Sequence, residues 1–217
     1  NPTLAPYAKE GECYMRVTAK APTEEQADAM CQPLIEEIKR RVGDFVYSVD
    51  VETLEELVVS ELKAKGKKLA TAESCTGGLL SKRITDVPGS SEVFEMGCVT
   101  YANQAKEDLL SVSHETLEQY GAVSPQTARE MAEGIVRRSG SDLGIGITGI
   151  AGPDGGTAEK PVGLIYIALS DGENTWVTKR SPIGRTKSRE WHRHCAASQA
   201  LDMVRRWLEG LPVVAES

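Results

Sequence analysis

Two serines and one lysine carry side chains suited to serine–lysine nucleophilic catalysis. Ser74 and Ser91 each lie in a polar turn between predicted elements, and Lys106 lies near the start of a helix shortly after Tyr101. A lysine can act as the base for a neighbouring serine when burial or nearby positive charge lowers the lysine pKa. The commoner roles are structural, because such serines usually cap helices and most lysines are solvated. The sequence leaves the choice between the two serines open.

The turn at 73–78, Glu-Ser-Cys-Thr-Gly-Gly, joins a predicted strand to a predicted helix. A helix N-terminus presents free N–H groups and partial positive charge, so Thr76, Gly77 and Gly78 are candidate ligands for an anion such as phosphate. The turn is not a Walker A loop, because no Gly-Lys-Ser/Thr follows. Cys75 is a candidate nucleophile if this position lowers its pKa. The structural alternative is that the serine caps the helix and the glycines permit close packing.

A glycine-rich segment runs from Thr148 to Gly163 between two apolar runs. Glycine lets the backbone approach a ligand closely and leaves N–H groups free to point at it. Such a segment suits a phosphate or a developing oxyanion, and Thr148, Gly149 and Gly152 are its candidate site residues. The structural alternative is a long hairpin connection between two strands.

Charged and metal-binding candidates lie near the start of the last predicted helix. Arg185 and Arg189 are candidates for binding phosphate, because the guanidinium fork matches its geometry, although exposed helical arginines are common. His192 and Cys195 belong to a His-Arg-His-Cys run. Adjacent residues on a helix point in different directions, so this run predicts no metal site, and we expect no cofactor.

The composition restricts the class of protein. The 217 residues carry a formal net charge of −7, which argues against broad binding to nucleic acid or to an anionic membrane. No apolar run approaches the ~18 residues of a membrane span. The five cysteines are scattered without a Cys-x-x-Cys pair, which indicates reduced thiols and a cytoplasmic location. Because the chain begins with Asn1, we expect a fragment or a processed chain.

Residues 1–50 read as a small β-α-β module. Alternation over 13–18 predicts a strand, Thr23 begins a helix that contains Pro33, and 45–49 reads as a returning strand. K-homology modules that bind nucleic acid are built in this way. The loop that would need Gly-x-x-Gly instead reads Ala-Pro-Thr-Glu-Glu at 21–25, which would repel phosphate. The sequence therefore favours a spacer or a dimerisation module.

Residues 51–211 alternate predicted strands and helices, and 212–217 form a tail. Thr53 and Glu56 form a capping box, and Ser124 with Pro125 begins a longer helix. The pattern predicts an α/β fold, a three-layer α/β/α domain with a mixed sheet that follows the small β-α-β module.

Five motifs together resemble the C-terminal domain of the CinA (competence/damage-inducible protein) family, over about residues 52–210. They are Ala-Glu-Ser-Cys-Thr-Gly-Gly at 72–78, Pro-Gly-Ser-Ser at 88–91, Val-Thr-Tyr-Ala-Asn at 99–103 with Lys106, Gly-Ala-Val-Ser at 121–124, and Ile-Thr-Gly-Ile-Ala-Gly-Pro-Asp-Gly-Gly-Thr at 147–157. Residues 1–8 resemble the joint that follows the family's molybdopterin-binding-like N-terminal domain. The resemblance thus implies that this chain is the C-terminal portion of a longer protein.

The resemblance implies hydrolysis of the carboxamide of nicotinamide mononucleotide (NMN) to nicotinic acid mononucleotide and ammonia, without a metal. It also implies a serine–lysine system, and we expect a homodimer. The functional residues it transfers are Ser74, Ser91, Tyr101, Lys106 and Thr148, with an arginine near the last helix. Ile183-Gly184-Arg185 departs from the family's Gly-Asp-Arg, which leaves Arg185 and Arg189 both open.

The resemblance implies a slight preference for Ser91 as the nucleophile, whereas the turn geometry favours Ser74. We expect Tyr101 to place the serine–lysine pair by hydrogen bonding, and Thr148 with glycine N–H groups to hold the oxyanion. The phosphate of NMN is expected on a helix N-terminus and an arginine. Two alternatives stay open: a non-catalytic module tied to competence or recombination, and an amidase for another small nucleotide amide.

Overall fold

The computed structural model describes residues 1–9, 11–50, 53–181 and 187–214. The chain divides into two compact units, a first unit of residues 1–51 and a second unit of residues 52–217. The candidate residues named above all belong to the second unit.

The first unit begins with a hairpin that the sequence did not predict. Strands β1 (Thr3–Ala8) and β2 (Cys13–Thr18) pair antiparallel, and helix α1 (Glu24–Val42) follows. The predicted return strand at 45–49 is wrong, since the chain leaves α1 through a 3-10 turn at Gly43–Phe45 and forms no further strand there. The order within this unit is therefore β-β-α, and the partner of β2 precedes it in the chain instead of following α1.

The second unit has a five-stranded mixed sheet with the order β4-β3-β5-β6-β7. β3, β4 and β5 are parallel, while β6 and β7 are antiparallel to their neighbours. The elements are α2 (Leu54–Lys65), β3 (Leu69–Glu73), α3 (Leu79–Thr85), a 3-10 turn (Ser90–Glu92), β4 (Phe94–Val99), α4 (Asn103–Leu110), α5 (His114–Tyr120), α6 (Pro125–Ser139), β5 (Leu143–Gly149), β6 (Ile165–Ser170), β7 (Thr175–Arg180) and α7 (Arg189–Glu209).

Helices cover both faces of the sheet. α6 packs across β5 and β6 with α4 against it, and α7 packs on β6 with α2 and α3 against it. Ile145 and Ile147 are fully buried in the central strand, as a strand covered on both faces requires. The predicted α/β fold with a mixed sheet between helices is confirmed.

The parallel strands determine where a site can form. β3, β4 and β5 end at Glu73, Val99 and Gly149, and parallel pairing places these ends at one edge of the sheet. Loops at the carboxyl edge of such strands commonly bind ligands. The turn after β3, the β4–α4 connection and the glycine-rich segment therefore meet there.

Gly146 in β5 allows α6 to lie directly on the sheet. A Cβ atom at this position would overlap the carbonyl oxygen of Ala128 and would come within 2.7 Å of the backbone nitrogen of Ala132. Backbone atoms of a packed helix cannot rotate away, so the two elements would have to separate. We expect Gly146→Ala to lower the free energy of unfolding by about 1–3 kcal/mol.

Urea unfolding followed by circular dichroism measures this change. Lys179→Ala, an exposed position in β7, is the control and is expected to stay within about 0.5 kcal/mol of the unaltered chain. An unchanged midpoint for Gly146→Ala would contradict the close approach of α6 to β5.

Candidate active site

A pocket of about 260 Å³ opens at the carboxyl edge of the parallel strands. It brings together most of the candidate residues, namely Ser74, Tyr101, Lys106, Thr148, Gly149, Gly152 and Arg189. Cys75, Ala122, Val123 and Asp154 also line it. Ser91, Thr76, Gly77 and Gly78 are not among the residues that line it, and Arg185 lies outside the described residues.

Ser74 and Lys106 meet at the base of this pocket. The backbone N–H of Ser74 donates to the carbonyl of Ile147 at 2.9 Å, which joins the turn after β3 to the end of β5. Lys106 Nζ lies 3.3 Å from Ser74 Oγ. The same amine donates to the carbonyl oxygens of Thr100 at 2.8 Å and Tyr101 at 3.3 Å.

These contacts suit a lysine that works as a neutral amine. Lys106 is 0% exposed, and burial lowers its pKa below the usual value for lysine. In the described part of the chain, no carboxylate forms an ion pair with Lys106 to offset this effect. A neutral amine has two N–H bonds, which match the two carbonyls, and one lone pair, which then faces the Ser74 hydroxyl.

Ser91 lies at the opposite edge of the sheet from the pocket. It is an exposed residue of the 3-10 turn that precedes β4, and the next residues lead to Val93, whose carbonyl bonds to Leu69 at the start of β3. β4 rises about 3.3 Å per residue, so the strand alone places roughly 16 Å between Ser91 and the β4–α4 connection. The structure therefore does not bring Ser91 to Lys106, and of the two candidate serines only Ser74 lines the pocket.

The helix N-terminus expected to bind phosphate is already occupied by Glu73. Its carboxylate accepts from the backbone N–H groups of Gly78 at 3.0 Å, Leu80 at 3.1 Å and Ser81 at 2.8 Å, and from the Ser81 hydroxyl at 2.6 Å. A carboxylate there satisfies the same donors and dipole that would attract an anion. The N–H of Gly78 is therefore not available to a phosphate in this arrangement, and Thr76 and Gly77 are not among the residues that line the pocket.

Cys75 lines the pocket, but its surroundings do not favour a reactive thiol. Its side chain is buried, and burial raises the pKa of the thiol to about 12, so the interpretation of Cys75 as a low-pKa nucleophile is wrong. Among the described residues, no other residue accepts a hydrogen bond from the Cys75 N–H, which interacts only with the Cys75 sulfur. The N–H that follows a nucleophile is a common oxyanion donor, because the turn aims both atoms at the same substrate carbon.

Thr148 lines the pocket, but its hydroxyl proton is engaged elsewhere. Thr148 Oγ1 donates to the carbonyl of Ala122 at 2.6 Å, so the expectation that it donates to an oxyanion is corrected. Its hydroxyl ties the end of β5 to the loop before α6. Gly149 is required for close packing, since a Cβ atom there would lie 2.6 Å from Ile165 Cγ1 and 2.7 Å from the Leu164 carbonyl oxygen.

Tyr101 and Arg189 form one wall of the pocket. Arg189 Nη1 donates to the carbonyl of Gly152 at 2.8 Å, and Nη2 donates to the Tyr101 hydroxyl at 3.1 Å. Tyr101 is 61% exposed and supports Lys106 through its backbone carbonyl, not through its phenol as expected. A guanidinium has five N–H bonds, so Arg189 keeps donors for a ligand anion.

Arg193 is a residue that the sequence interpretation missed. Its Nε and Nη2 both donate to the carbonyl of Thr76, at 3.1 and 2.6 Å. It lies one helical turn after Arg189 in α7, and this i, i+4 spacing was the available signal, because such residues share one helix face.

The described residues contain no group of three or more His, Cys, Asp or Glu side chains placed to hold a metal ion. In the same part of the chain, no helix combines the length and apolar character that crossing a bilayer requires.

Two family models match the sequence. Residues 51–208 match the model described as "CinA C-terminal domain", and residues 1–48 match "Damage-inducible protein CinA KH domain". The chain belongs to the CinA family. The resemblance inferred from the five motifs is confirmed.

Curated relatives and solved structures agree with membership of the CinA family. A "CinA-like protein" of Desulfovibrio desulfuricans is 56% identical over 215 residues, covering 99% of this chain and 51% of the relative. A "CinA-like protein" of Kosmotoga olearia is 49% identical over 214 residues, with 99% and 51% coverage. The chain thus spans about half the length of the curated relatives it matches.

Crystal structures of CinA-family proteins share the fold of the second unit. The competence/damage inducible protein CihA from Agrobacterium tumefaciens superposes with a TM-score of 0.67 at 40% identity, covering 75% of this chain and 99% of that one. A CinA superfamily protein from Klebsiella pneumoniae superposes with a TM-score of 0.67 at 31% identity, covering 73% and 99%.

The first unit matches a domain class that its sequence had argued against, while its expected role as a spacer or dimerisation module stays a prediction. Residues 1–48 belong to a KH-type domain of this family. The acidic loop at 21–25, without Gly-x-x-Gly, had pointed away from this class. Loop composition was therefore a poor guide to the domain family.

Proposed function

We propose that the second unit hydrolyses the carboxamide of NMN to nicotinic acid mononucleotide and ammonia, with Ser74 as nucleophile and Lys106 as base. One observation carries this proposal. A fully buried lysine amine, its pKa lowered by burial, lies 3.3 Å from a serine hydroxyl inside a pocket. Family membership supports it, because the residues that the resemblance transferred include both members of this pair.

The proposed reaction has two halves. Neutral Lys106 accepts the Ser74 hydroxyl proton as Oγ attacks the carboxamide carbon, and the carbonyl oxygen becomes an oxyanion that the Cys75 N–H can stabilise. The C–N bond then breaks, and Lys106 returns the proton to the departing ammonia. Water, activated by the same amine, hydrolyses the ester on Ser74 and releases the acid.

The Arg189 guanidinium and the small size of the pocket, which Asp154 also lines, support a small anionic substrate. Arg189 retains free donors at its rim, and an arginine fork suits a phosphate. A volume of about 260 Å³ lies just below the ~300–1,000 Å³ common for ligand pockets. This size favours a mononucleotide over a dinucleotide such as NAD.

Ammonia release from a substrate panel tests the proposal. With purified chain and a coupled glutamate dehydrogenase assay, we expect turnover of NMN to exceed that of NAD and of free nicotinamide by at least about tenfold in kcat/KM, because only NMN places a phosphate on Arg189 without a second nucleotide. Ser74→Ala is the control in the same assay, because any ammonia that this variant releases measures contaminating amidase.

Two other outcomes would replace the proposal. Preference for NAD or for another nucleotide amide would keep the chemistry and change the substrate. No ammonia from any member of the panel, with salt-dependent retention on single-stranded DNA, would support a non-catalytic module linked to the KH-type first unit.

A further inference from the structure

Two arginines of helix α7, one helical turn apart, donate hydrogen bonds to the segments that surround the pocket. Arg189 bonds to the Gly152 carbonyl and the Tyr101 hydroxyl, which belong to the glycine-rich segment and the β4–α4 connection. Arg193 bonds to the Thr76 carbonyl, which belongs to the turn that carries Ser74. One rigid helix therefore sets the position of all three segments.

The turn after β3 needs such support because its own backbone is permissive. Gly77 and Gly78 have φ angles of +57° and +90°, a region where glycine moves with little restraint. Glu73 holds the far side of the turn by accepting N–H groups of α3. The near side, two residues from Ser74, is held by the Arg193 guanidinium.

We propose that Arg193 is a positioning residue that fixes the Ser74 hydroxyl against Lys106, an inference that rests on the proposed function. Two N–H bonds from one planar guanidinium to one carbonyl define both the distance and the direction of that carbonyl. Arg193 is not among the residues that line the pocket, so its effect on the reaction passes through the turn.

If Arg193 positions Ser74, its loss should lower kcat and leave KM nearly unchanged. Arg193→Met removes both bonds, and a misplacement of about 1 Å at a reacting group can reduce turnover by about 10²-fold. We expect kcat for NMN to fall by about that factor while KM changes by less than about threefold. Arg193→Lys, which can make only one of the two bonds, is expected to fall between Arg193→Met and the unaltered chain.

A second readout does not depend on the substrate. Phenylmethanesulfonyl fluoride sulfonylates an activated serine: the Ser74 Oγ–S bond forms, the S–F bond breaks, fluoride leaves and the proton passes to Lys106. We expect intact-mass measurements to show this labelling slowed by about 10²-fold in Arg193→Met. Arg206→Met is the matched control, since Arg206 lies in the same helix and also donates to a carbonyl, that of Pro212, about 20 Å further along α7, and both rates should match the unaltered chain.

The outcomes separate the two proposals. Unaltered kcat and labelling in Arg193→Met would overturn the positioning role, as would equal losses in Arg193→Met and Arg193→Lys accompanied by loss of cooperative thermal unfolding. If the unaltered chain is labelled at Ser74 but releases no ammonia from NMN, the substrate proposal fails, and the labelling rates alone decide the role of Arg193. No labelling at Ser74 together with no ammonia from NMN would overturn both.

Discussion

Replacing Lys106 by methionine is expected to reduce ammonia release from NMN by at least about 10³-fold. A positioned general base contributes about 10²–10⁴-fold to the rate, and this lysine serves both halves of the reaction. Methionine has a similar unbranched shape without an amine, so it fills the buried space but cannot accept the Ser74 proton. Steady-state ammonia assays measure the loss, and thermal unfolding measures whether the variant stays folded.

The same lysine determines the expected pH dependence. The base is the neutral amine, so kcat/KM rises with pH as Lys106 loses its proton. Because burial lowers the pKa of Lys106, the rise should be complete well below the ~10.4 of an ordinary lysine. The residual activity of Lys106→Met should lack this rise.

Lys68→Met is the matched control for the loss of a lysine. Lys68 pairs with Glu95 at the other end of the sheet, and this variant should keep the activity and the pH profile of the unaltered chain. A Lys106→Met variant that retains more than a tenth of the activity, or an ascending limb centred near pH 10, would contradict a neutral Lys106 as the base.

The second unit could be predicted well where local signals act alone. α2 begins at the Thr53–Glu56 capping box and is followed by Gly66 in the left-handed conformation, and Ser124 with Pro125 begins α6, all as the sequence indicates. These signals arise from bonds within a few residues, so a sequence pattern contains both partners.

The first unit shows where local signals fail. β1 contains Pro6 and lies at the edge of a two-stranded sheet, so it lacks the alternation that reveals a half-buried strand. Residues 45–49, by contrast, are rich in aromatic and β-branched types and yet form no strand. Strand pairing decided both cases, since β1 pairs with the next strand in the hairpin and residues 45–49 pair with no strand among the described residues.

The site illustrates the same limit for side chains. Parallel pairing brings the segments after β3, β4 and β5 together at one edge of the sheet. The bond that each polar group makes was not predictable, because Glu73 turns back to fill a helix N-terminus and Thr148 donates to Ala122. The sequence shows which polar side chains are present, whereas the hydrogen-bond partner of each one depends on the residues that pack around it.

Ser74→Ala and Ser91→Ala should differ by at least about 10⁴-fold in kcat, since removal of a nucleophile eliminates the covalent route whereas removal of a distant hydroxyl leaves it intact. Ser74 Oγ lies beside Lys106 Nζ, and Ser91 lies before β4 at the opposite edge. Ammonia release from NMN measures both variants. Each replacement removes one oxygen atom from a short side chain, so the pair is closely matched.

The comparison also tests whether the structure or the family resemblance is the better guide to the nucleophile. Ser91→Ala should stay within about twofold of the unaltered chain, because surface substitutions away from a site rarely change more than local solvation. Sulfonyl fluoride labelling should disappear in Ser74→Ala and persist in Ser91→Ala. The reverse pattern would show that Ser91 reaches a reacting amide by an arrangement other than this fold, and the Ser74–Lys106 mechanism would then be abandoned.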